Sequence, residues 1–338
     1  MSLIEDVCGY PSVSVVGMEK NTGKTECLNY LLRGGHRLGH CMGVTSIGLD
    51  GEMLDQVTAT SKPEIFLAEG TLFATSEKLY RNRRLTSEIL DLSAWQSALG
   101  RLVTARTVAP GKVMLSGPVS TGLLRETIAL LRSLGAQTVL VDGALSRKSL
   151  GSPAVTRATI LATGAAFSPN IPELVRKTRF VYQLMQLPVF QTPHTEAMLG
   201  INQGIWAVEE SGELHDLGIS SALLLDKEKG KLFRYGHRIF VSGIVSDKLL
   251  DTLRMQREIA STELVVKDFT RFFVTPASLH AYQQKGGKLS VLLRPNLLAV
   301  CVNPWSPSGF LLDSDRLRQA MSEVIHVPVY DVRRESMP

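Results

Sequence analysis

The chain has 338 residues, of which 44% are hydrophobic and 20% charged, and its formal net charge is +5. This composition predicts about two globular domains and excludes a disordered chain, a collagen-like chain and a disulfide scaffold. The positive charge is too small and too dispersed to indicate a nucleic-acid-binding protein. The sequence has no run of about 18 apolar residues and starts without the basic and apolar regions of a secretory signal, so we expect a cytoplasmic protein outside the membrane.

The first part of the chain alternates short apolar strands with amphipathic helices. Residues 12–16 predict a strand, apolar residues at helical spacing predict a helix over 24–38, and residues 41–47 predict a second strand. Residues 54–106 are expected to form a mostly helical insertion. The pattern then predicts strands over 112–116, 138–141 and 159–162 and helices over 120–134 and 171–187. Unbroken apolar strands that alternate with helices favour a parallel sheet with helices on both faces.

Beyond residue 187 the pattern changes, because prolines and glycines interrupt it as far as residue 218. The elements expected after this interruption are strands over 222–225, 238–241, 263–266, 289–293 and 297–302 and helices over 247–259, 276–285 and 313–324. The predicted fold class is α/β. We expect a mostly parallel sheet in a first domain, residues 1–190, and a C-terminal α/β extension or second domain over 215–338.

A glycine-containing loop joins the first predicted strand to the first long helix. Its sequence is Gly17-Met-Glu-Lys-Asn-Thr-Gly-Lys24-Thr25. A strand, a Gly-Lys-Thr loop and a helix in this order are typical of a nucleotide phosphate-binding loop. The usual spacing places the first glycine at the position of Met18, one residue after Gly17. The alternative to phosphate binding is a structural turn.

Each residue type in this loop has a role in phosphate binding. Gly23 lets the backbone approach a phosphate, and amide groups at the helix N-terminus point at the anion. Lys24 would contact the β- and γ-phosphates, and the Thr25 hydroxyl would bind Mg²⁺. The residues that we expect to bind the nucleotide are Lys20, Asn21, Thr22, Gly23, Lys24, Thr25, Glu26 and Asn303.

Two carboxylates follow predicted strands. Asp50 lies after the second strand, near Thr45 and Ser46, and Asp142 ends a later apolar strand. A strand that ends in Asp is the arrangement in which a carboxylate holds the Mg²⁺ of an NTPase. For both carboxylates the alternative is an Asp-Gly turn. The expected catalytic residues are Lys24, Asp50 and Asp142, and the expected metal ligands are Thr25, Asp50 and Asp142.

Two further strand ends carry candidate binding residues. The loop over 116–122 holds Ser116, Ser120 and Thr121, which either bind a substrate anion or cap the following helix. Near the C-terminus, Asn303 leads from a strand into a Pro-rich loop. It either contacts the edge of a nucleobase or belongs to a rigid surface loop.

The segment Lys20-Asn-Thr-Gly-Lys24-Thr resembles the loop of the P-loop NTPase class that includes signal-recognition GTPases, MinD-type ATPases and dethiobiotin synthetase. Its form is most similar to the molybdopterin-guanine dinucleotide biosynthesis adapter protein, over the part of the chain before Asp50. The resemblance implies a P-loop NTPase sheet that binds a nucleoside triphosphate and Mg²⁺. It also implies that Lys20 contacts phosphate, although Lys20 is one residue closer to Lys24 than in the MinD-type pattern. The class usually forms dimers, which leaves a homodimer open.

Four short motifs are similar to those of an accessory protein of cobalamin-dependent lysine 5,6-aminomutase, a family regarded as one subunit of a reactivating factor. They are Gly-x-Glu-Lys-Asn-Thr-Gly-Lys-Thr from Gly17, Thr-Ser-Ile-Gly-x-Asp-Gly-Glu from Thr45, Val-Asp-Gly-Ala-Leu-Ser-Arg from Val141 and Val-Asn-Pro-x-Ser-Pro from Val302. This resemblance implies a protein partner, either the aminomutase or its other accessory subunit. It carries over no catalytic residue beyond the P-loop positions.

We expect ATP rather than GTP as the nucleotide, because the sequence lacks the Asn-Lys-x-Asp and Thr-Lys-x-Asp signatures of guanine recognition. The first functional hypothesis is an ATPase that acts as an accessory or reactivating factor, whose nucleotide cycle changes its affinity for a partner enzyme. The alternative is an ATP-dependent small-molecule ligase or kinase of the dethiobiotin synthetase type. A third hypothesis is a nucleotide-binding protein without hydrolysis.

Overall fold

The chain forms an α/β protein, as its sequence predicts. The computed structural model describes residues 2–48, 64–118, 120–144, 155–220 and 229–335. The chain divides into two compact units. The first comprises Met1–Arg179 and Asn296–Pro338, and the second comprises Phe180–Pro295.

The helices are distributed along the whole described chain. They are α1 (Leu3–Cys8), α2 (Lys24–Arg37), α3 (Glu77–Arg81), α4 (Thr121–Ser133), α5 (Ile171–Met185), α6 (Thr195–Gly200), α7 (Asp247–Arg254), α8 (Pro276–Gln284), α9 (Ser314–Ser322) and α10 (Val332–Glu335). Within the described ranges, none of them combines the length and the apolar character that a membrane crossing needs.

The strands follow in chain order. They are β1 (Ser12–Gly17), β2 (Met42–Ser46), β3 (Ile65–Leu67), β4 (Leu72–Ser76), β5 (Arg84–Ser97), β6 (Gly100–Val113), β7 (Thr138–Ala144), β8 (Ala158–Gly164), β9 (Ile205–Val208), β10 (Leu214–Ile219), β11 (Arg238–Val241), β12 (Val245–Ser246), β13 (Glu263–Val266), β14 (Phe272–Phe273), β15 (Lys288–Val291), β16 (Leu297–Asn303) and β17 (Val329–Tyr330).

The first unit contains a ten-stranded, mostly parallel sheet. Its strands lie in the order β17-β16-β8-β1-β7-β2-β4-β6-β3, and β5 pairs with β6 outside this path. Every pairing from β17 to β4 is parallel. Strands β3, β4 and β5 each pair antiparallel with β6. β1 therefore lies among parallel strands, between β7 and β8.

Alternating residues of the central strands build a hydrophobic core on each face of this sheet. Leu140 of β7 lies in the same cluster as Leu28 of α2. Its neighbours Val139 and Val141 lie in a separate cluster with Leu131 of α4. Because successive side chains of a strand point to opposite faces, α2 and α4 cover opposite faces of the sheet. The expected coverage of both faces is confirmed.

The helical insertion expected over 54–106 is wrong for its described part. From residue 64 onward the segment forms β3, β4, the short α3 and then the long β5–β6 hairpin. Two residues join β5 to β6, and Gly100 begins β6 with a φ of 87°. β5 contains no buried residue. Its large apolar residues do not alternate strictly along the strand, so periodicity does not identify it; they are Leu85, Ile89, Leu90, Leu92 and Trp95. The strand expected over 112–116 is in fact only the end of β6.

The C-terminal part of the chain also differs from the expected separate domain over 215–338. β16, α9, β17 and α10 belong to the first unit, where β16 pairs with β8. The second unit begins at Phe180, earlier than the boundary expected after residue 190. The cause is a pairing between segments that are far apart in sequence, and local patterns carry no signal for such a pairing.

The second unit contains a five-stranded sheet in the order β10-β9-β11-β13-β15. β11, β13 and β15 are parallel, which confirms the strands expected near residues 238, 263 and 289. β9 and β10 form an antiparallel hairpin that the sequence patterns do not predict. The strand expected over 222–225 lies outside the described residues.

We expect Gly117→Ala to destabilise the protein by about 2 kcal/mol or more, because overpacked positions cannot relax against backbone. A Cβ on Gly117 would lie 1.7 Å from the carbonyl oxygen of Ser46. Gly122→Ala is the matched control, since no atom lies within 4 Å of its Cβ position and alanine favours a helix. Urea denaturation measures both variants. Equal stability of the two would contradict the close approach of this loop to β2.

Candidate functional site

The loop between β1 and α2 lies at the carboxyl edge of the parallel strands. β1 ends at Gly17, and a Cβ on Gly17 would lie 3.1 Å from Thr22 Oγ1. The Thr22 hydroxyl donates to the Glu19 carbonyl oxygen at 2.8 Å, and the Met18 amide donates to the Ala162 carbonyl oxygen at 2.9 Å. Gly17 is therefore the glycine that the interior of the loop requires. Met18, at the usual glycine position, is buried.

Two residues give this loop a left-handed backbone. Asn21 has a φ of 61° and Gly23 a φ of 93°. Asn21 is the one non-glycine residue with a positive φ in the described part of the chain. Left-handed residues of this kind turn consecutive N–H groups into anion-binding concavities. The backbone of the loop thus has the geometry of an anion site.

The helix that follows starts without a side-chain cap. α2 begins at Lys24, and the side chain of its N-cap residue, Gly23, offers no hydrogen-bond acceptor. Every other described helix of eight or more residues has a capping side chain: Ser120 for α4, Asn170 for α5, Ser246 for α7, Thr275 for α8 and Asp313 for α9. The first N–H groups of a helix have no partner within the helix. α2 therefore presents these donors, and the positive end of its dipole, to the loop.

Lys24 and Asp142 form an ion pair beside this loop. Lys24 Nζ lies 3.0 Å from Asp142 Oδ1, and the two side chains are 26% and 19% exposed. Asp142 is opposite Val15 of β1 and, on its other side, opposite Ser46 of β2. Its Oδ1 is buried, and the Lys24 ammonium group at 3.0 Å balances its charge. Two of the expected catalytic residues are thus in direct contact.

Polar residues around the end of β2 are engaged in bonds that hold the fold. The hydroxyl of Thr45, which is fully buried, donates to a carbonyl oxygen of β4 at 3.1 Å. The Ser46 hydroxyl donates to the Asp142 carbonyl oxygen at 3.3 Å. The Ser116 hydroxyl donates to the Gly48 carbonyl oxygen at 3.1 Å. These bonds tie the end of β2 to β4 and to β7, and the loop after β6 to the loop after β2.

The structure decides the role of Ser120 but does not describe Asp50. Ser120 accepts a hydrogen bond from the Leu123 amide at 3.2 Å and caps α4, so the capping alternative is confirmed for Ser120. Asp50, expected as a catalytic residue and metal ligand, lies outside the described residues. Of the two carboxylates expected to bind the metal, only Asp142 lies among the described residues, and it is at the site.

Asn303 lies against the loop between β1 and α2, although it comes 280 positions after Gly23 in the sequence. A Cβ on Gly23 would lie 2.5 Å from Asn303 Cβ, so only glycine fits there. Asn303 ends β16 opposite Gly164 of β8, and its side-chain oxygen accepts a hydrogen bond from the Trp305 amide at 3.2 Å. The side chain is 5% exposed. Asn303 is therefore held in a fixed position next to the start of α2.

The remaining residues expected to bind nucleotide lie on the same loop and on the first turn of α2. Lys20 and Asn21 are exposed, whereas Thr25 and Glu26 are half-buried. The Lys20 amide donates to the Glu19 carboxylate at 3.2 Å. Thr22 is buried, and the bond of its hydroxyl to the loop backbone leaves it a structural role there.

Two buried cysteines connect α2 to β16 beneath this site. Cys27 donates a hydrogen bond to Cys301, with 3.5 Å between the sulfur atoms. This hydrogen bond and burial raise the pKa of the Cys301 thiol well above its usual range. The Cys301 thiol therefore stays protonated. Both cysteines are buried and pack as small core side chains. The sequence pattern does not reveal their contact, which joins the helix after the loop to the strand that ends in Asn303.

The groups around this loop fit a nucleoside triphosphate with a divalent cation. The uncapped N-terminus of α2 and the left-handed loop backbone supply N–H donors, and Lys24 supplies a positive charge. Asp142 Oδ1 is a buried carboxylate oxygen that faces the Lys24 ammonium group. Carboxylate and hydroxyl oxygens are ligands that Mg²⁺ accepts, and the Thr25 hydroxyl follows Lys24 directly.

Comparisons with protein-family models, with curated proteins and with solved structures found no match to this chain. The assignment of the site therefore depends on its own geometry.

We expect the ion pair between Lys24 and Asp142 to contribute about 1 kcal/mol to folding, more than a pair exposed on a helix. A double-mutant cycle with Lys24→Met and Asp142→Asn, measured by urea denaturation, gives this coupling. The exposed pair of Glu173 and Lys177, with 3.1 Å between its charged atoms, is the control, and its coupling should be at most about 0.5 kcal/mol. A coupling near zero for Lys24 and Asp142 would contradict the contact.

Proposed function

We propose that the protein is a P-loop NTPase that binds Mg²⁺-ATP at the loop between β1 and α2. The observation that carries this proposal is the Lys24–Asp142 ion pair at the uncapped N-terminus of α2. A lysine at a helix start is usually only solvated. Here its ammonium group is held 3.0 Å from a buried oxygen of the Asp142 carboxylate.

In this proposal, different residues around the loop contact the phosphates and the Mg²⁺ ion. The amides at the start of α2 bind phosphate oxygens, and Gly23 lets the backbone approach them closely. Lys24 exchanges the Asp142 carboxylate for the β- and γ-phosphates. Asp142 and the Thr25 hydroxyl would hold Mg²⁺, which neutralises charge on the transferred phosphoryl group. After this exchange Lys24 contacts the phosphates and Asp142 contacts the Mg²⁺ ion, and the two residues no longer pair with each other.

Asn303 is proposed to contact the base of the nucleotide. Its backbone is fixed by β16, and its side-chain oxygen is already bonded to the Trp305 amide. The side-chain NH₂ group is therefore the part that offers donors to a ring nitrogen of adenine. The absence of guanine-recognition signatures in the sequence supports ATP over GTP.

We further propose that ATP binding and hydrolysis serve a partner enzyme, as in an accessory or reactivating factor. The support for this step is the resemblance of four motifs to an accessory protein of a cobalamin-dependent aminomutase. An ATP-dependent ligase or kinase is the competing proposal. The Ser116 hydroxyl, a candidate ligand for a small substrate, is instead bonded to the Gly48 carbonyl oxygen, which gives the ligase proposal less support.

The partner is tested by phosphate release from ATP with and without a purified cobalamin-dependent aminomutase. We expect slow release by the protein alone and a several-fold change when the aminomutase is present. Release that instead depends on a small carboxylic acid or amine would favour the ligase or kinase. The Lys24→Ala variant provides the background rate in each assay.

Nucleotide binding is tested first by calorimetric titration with non-hydrolysable ATP and GTP analogues, with and without Mg²⁺. We expect ATP binding that requires Mg²⁺, and we expect Lys24→Ala to abolish it, because charged contacts to phosphate are lost. Lys78→Ala is the matched control, since Lys78 is an exposed lysine on α3. Unchanged affinity in Lys24→Ala would overturn the site. A preference for GTP would keep the site and change the proposed nucleotide.

We expect Asn303→Ala to weaken binding of the ATP analogue roughly tenfold, which corresponds to one hydrogen bond to the base. Its affinity for inorganic tripolyphosphate should stay unchanged, because that ligand has no base. Asn202→Ala, an exposed asparagine of the second unit, is the control. An equal loss for both ligands would mean that Asn303 shapes the phosphate loop through Gly23 and does not contact the base.

A further inference from the structure

The β9–β10 hairpin of the second unit carries a group of side chains that the nucleotide site does not use. Val208 and Leu214 are the last pair of the ladder. The turn between them is closed by two backbone hydrogen bonds of 2.9 Å, from the Glu209 amide to the Glu213 carbonyl oxygen and from the Gly212 amide to the Glu209 carbonyl oxygen. Glu209 and Glu213 therefore lie opposite each other at the end of the hairpin.

His215 completes a group of three metal-ligating side chains. Its Nε2 lies 3.3 Å from Glu209 Oε2 and 4.0 Å from Glu213 Oε2. The three donor atoms lie within 4.8 Å of one another, and no other such group of three occurs among the residues that the structure describes. Glu213 directly precedes β10, and His215 is the second residue of that strand, so both side chains reach the same end of the hairpin.

The imidazole of His215 is held in its orientation. It stacks on Tyr235 with 4.1 Å between ring centroids and 9° between planes, and it is 21% exposed. The two glutamates are 47% and 68% exposed, so solvent reaches the group from their side. A second imidazole borders the turn, since His194 Nε2 lies 3.6 Å from the Cβ position of Gly212. One stacked imidazole nitrogen and two solvent-exposed carboxylates thus converge, and Glu209 Oε2 also accepts a hydrogen bond from the Ser211 hydroxyl at 3.4 Å.

We propose that Glu209, Glu213 and His215 bind a divalent transition-metal ion of the Zn²⁺ type, with water as the remaining ligand. Zn²⁺ binds nitrogen and carboxylate oxygen at about 2.0–2.2 Å, which places neighbouring donors about 3–4 Å apart. The two distances from His215 Nε2 lie in this range. The distance between the two carboxylates, at most 4.8 Å, would shorten when the exposed Glu213 side chain rotates. Mg²⁺ and Ca²⁺ prefer oxygen ligands only, so the imidazole selects against them. The two carboxylates neutralise the charge of the ion.

The test is calorimetric titration of the full chain with Zn²⁺ after treatment with a chelator. We expect one site that is lost, or weakened at least about tenfold, in both Glu213→Gln and His215→Ala. Glu213→Gln keeps the fold, because this side chain is largely exposed and only its charge changes. Glu210→Gln is the matched control, since it removes an exposed carboxylate next to the group without touching it. Co²⁺ provides an optical readout, because a nitrogen ligand changes its ligand-field absorption and His215→Ala should remove that change.

The controls separate this site from the nucleotide site. Lys24→Ala should bind Zn²⁺ as the unmodified chain does, so a failure of the nucleotide proposal leaves this one standing. Equal Zn²⁺ binding by the unmodified chain, Glu213→Gln and His215→Ala would overturn the proposal, as would tighter binding of Mg²⁺ than of Zn²⁺. Loss of the site in Glu210→Gln would also overturn it, because the ligands would then be different carboxylates of the turn.

Discussion

The parallel pairing of β1 with β7 is the constraint on which the candidate site depends. It places Asp142 beside Val15, near the end of the strand that leads into the loop. Lys24, at the first position of α2, then meets Asp142 at 3.0 Å. Two separate cores, on opposite faces of the sheet, hold α2 and α4 in place. Because apolar burial stabilises both faces, the sheet can keep a lysine and a carboxylate together at its edge without either group being deeply buried.

The second constraint is the contact between the beginning and the end of the first unit. The space next to Gly23 is filled by Asn303, and Cys27 touches Cys301 two residues earlier on the same strand. β16 therefore packs against the loop between β1 and α2 and against α2 itself. The second unit, Phe180–Pro295, is inserted in the chain between β8 and β16. A chain cut at residue 190 or 215 would thus separate the loop from the strand that borders it.

How much the sequence predicts depends on how local the signal is. The strands and helices around the loop, from β1 to β2 and from α4 to β8, are predicted because their apolar residues repeat at the period of the element that they form. The hairpins β5–β6 and β9–β10 are missed, since the apolar residues of β5 do not alternate strictly and glycines interrupt the pattern around β9 and β10. The contact of Asn303 with Gly23 is non-local, so the sequence suggests Asn303 as a binding residue but not its position. The meeting of Glu209, Glu213 and His215 follows from the hairpin turn and is missed with it.

The ion pair between Lys24 and Asp142 also affects how the cation and the phosphates would influence each other's binding. Asp142 has one negative charge, and Lys24 already balances it at 3.0 Å. A divalent cation that arrived alone would place two positive groups around one carboxylate, and repulsion between them would weaken its binding. A triphosphate that arrived alone would bring several negative charges close to Asp142 with only Lys24 and the helix amides to offset them. The cation and the phosphates compensate each other, so in the proposed site each should strengthen the binding of the other. The lysine and the carboxylate held in contact add to this coupling, and loss of either charge would leave only the direct attraction between the cation and the phosphates.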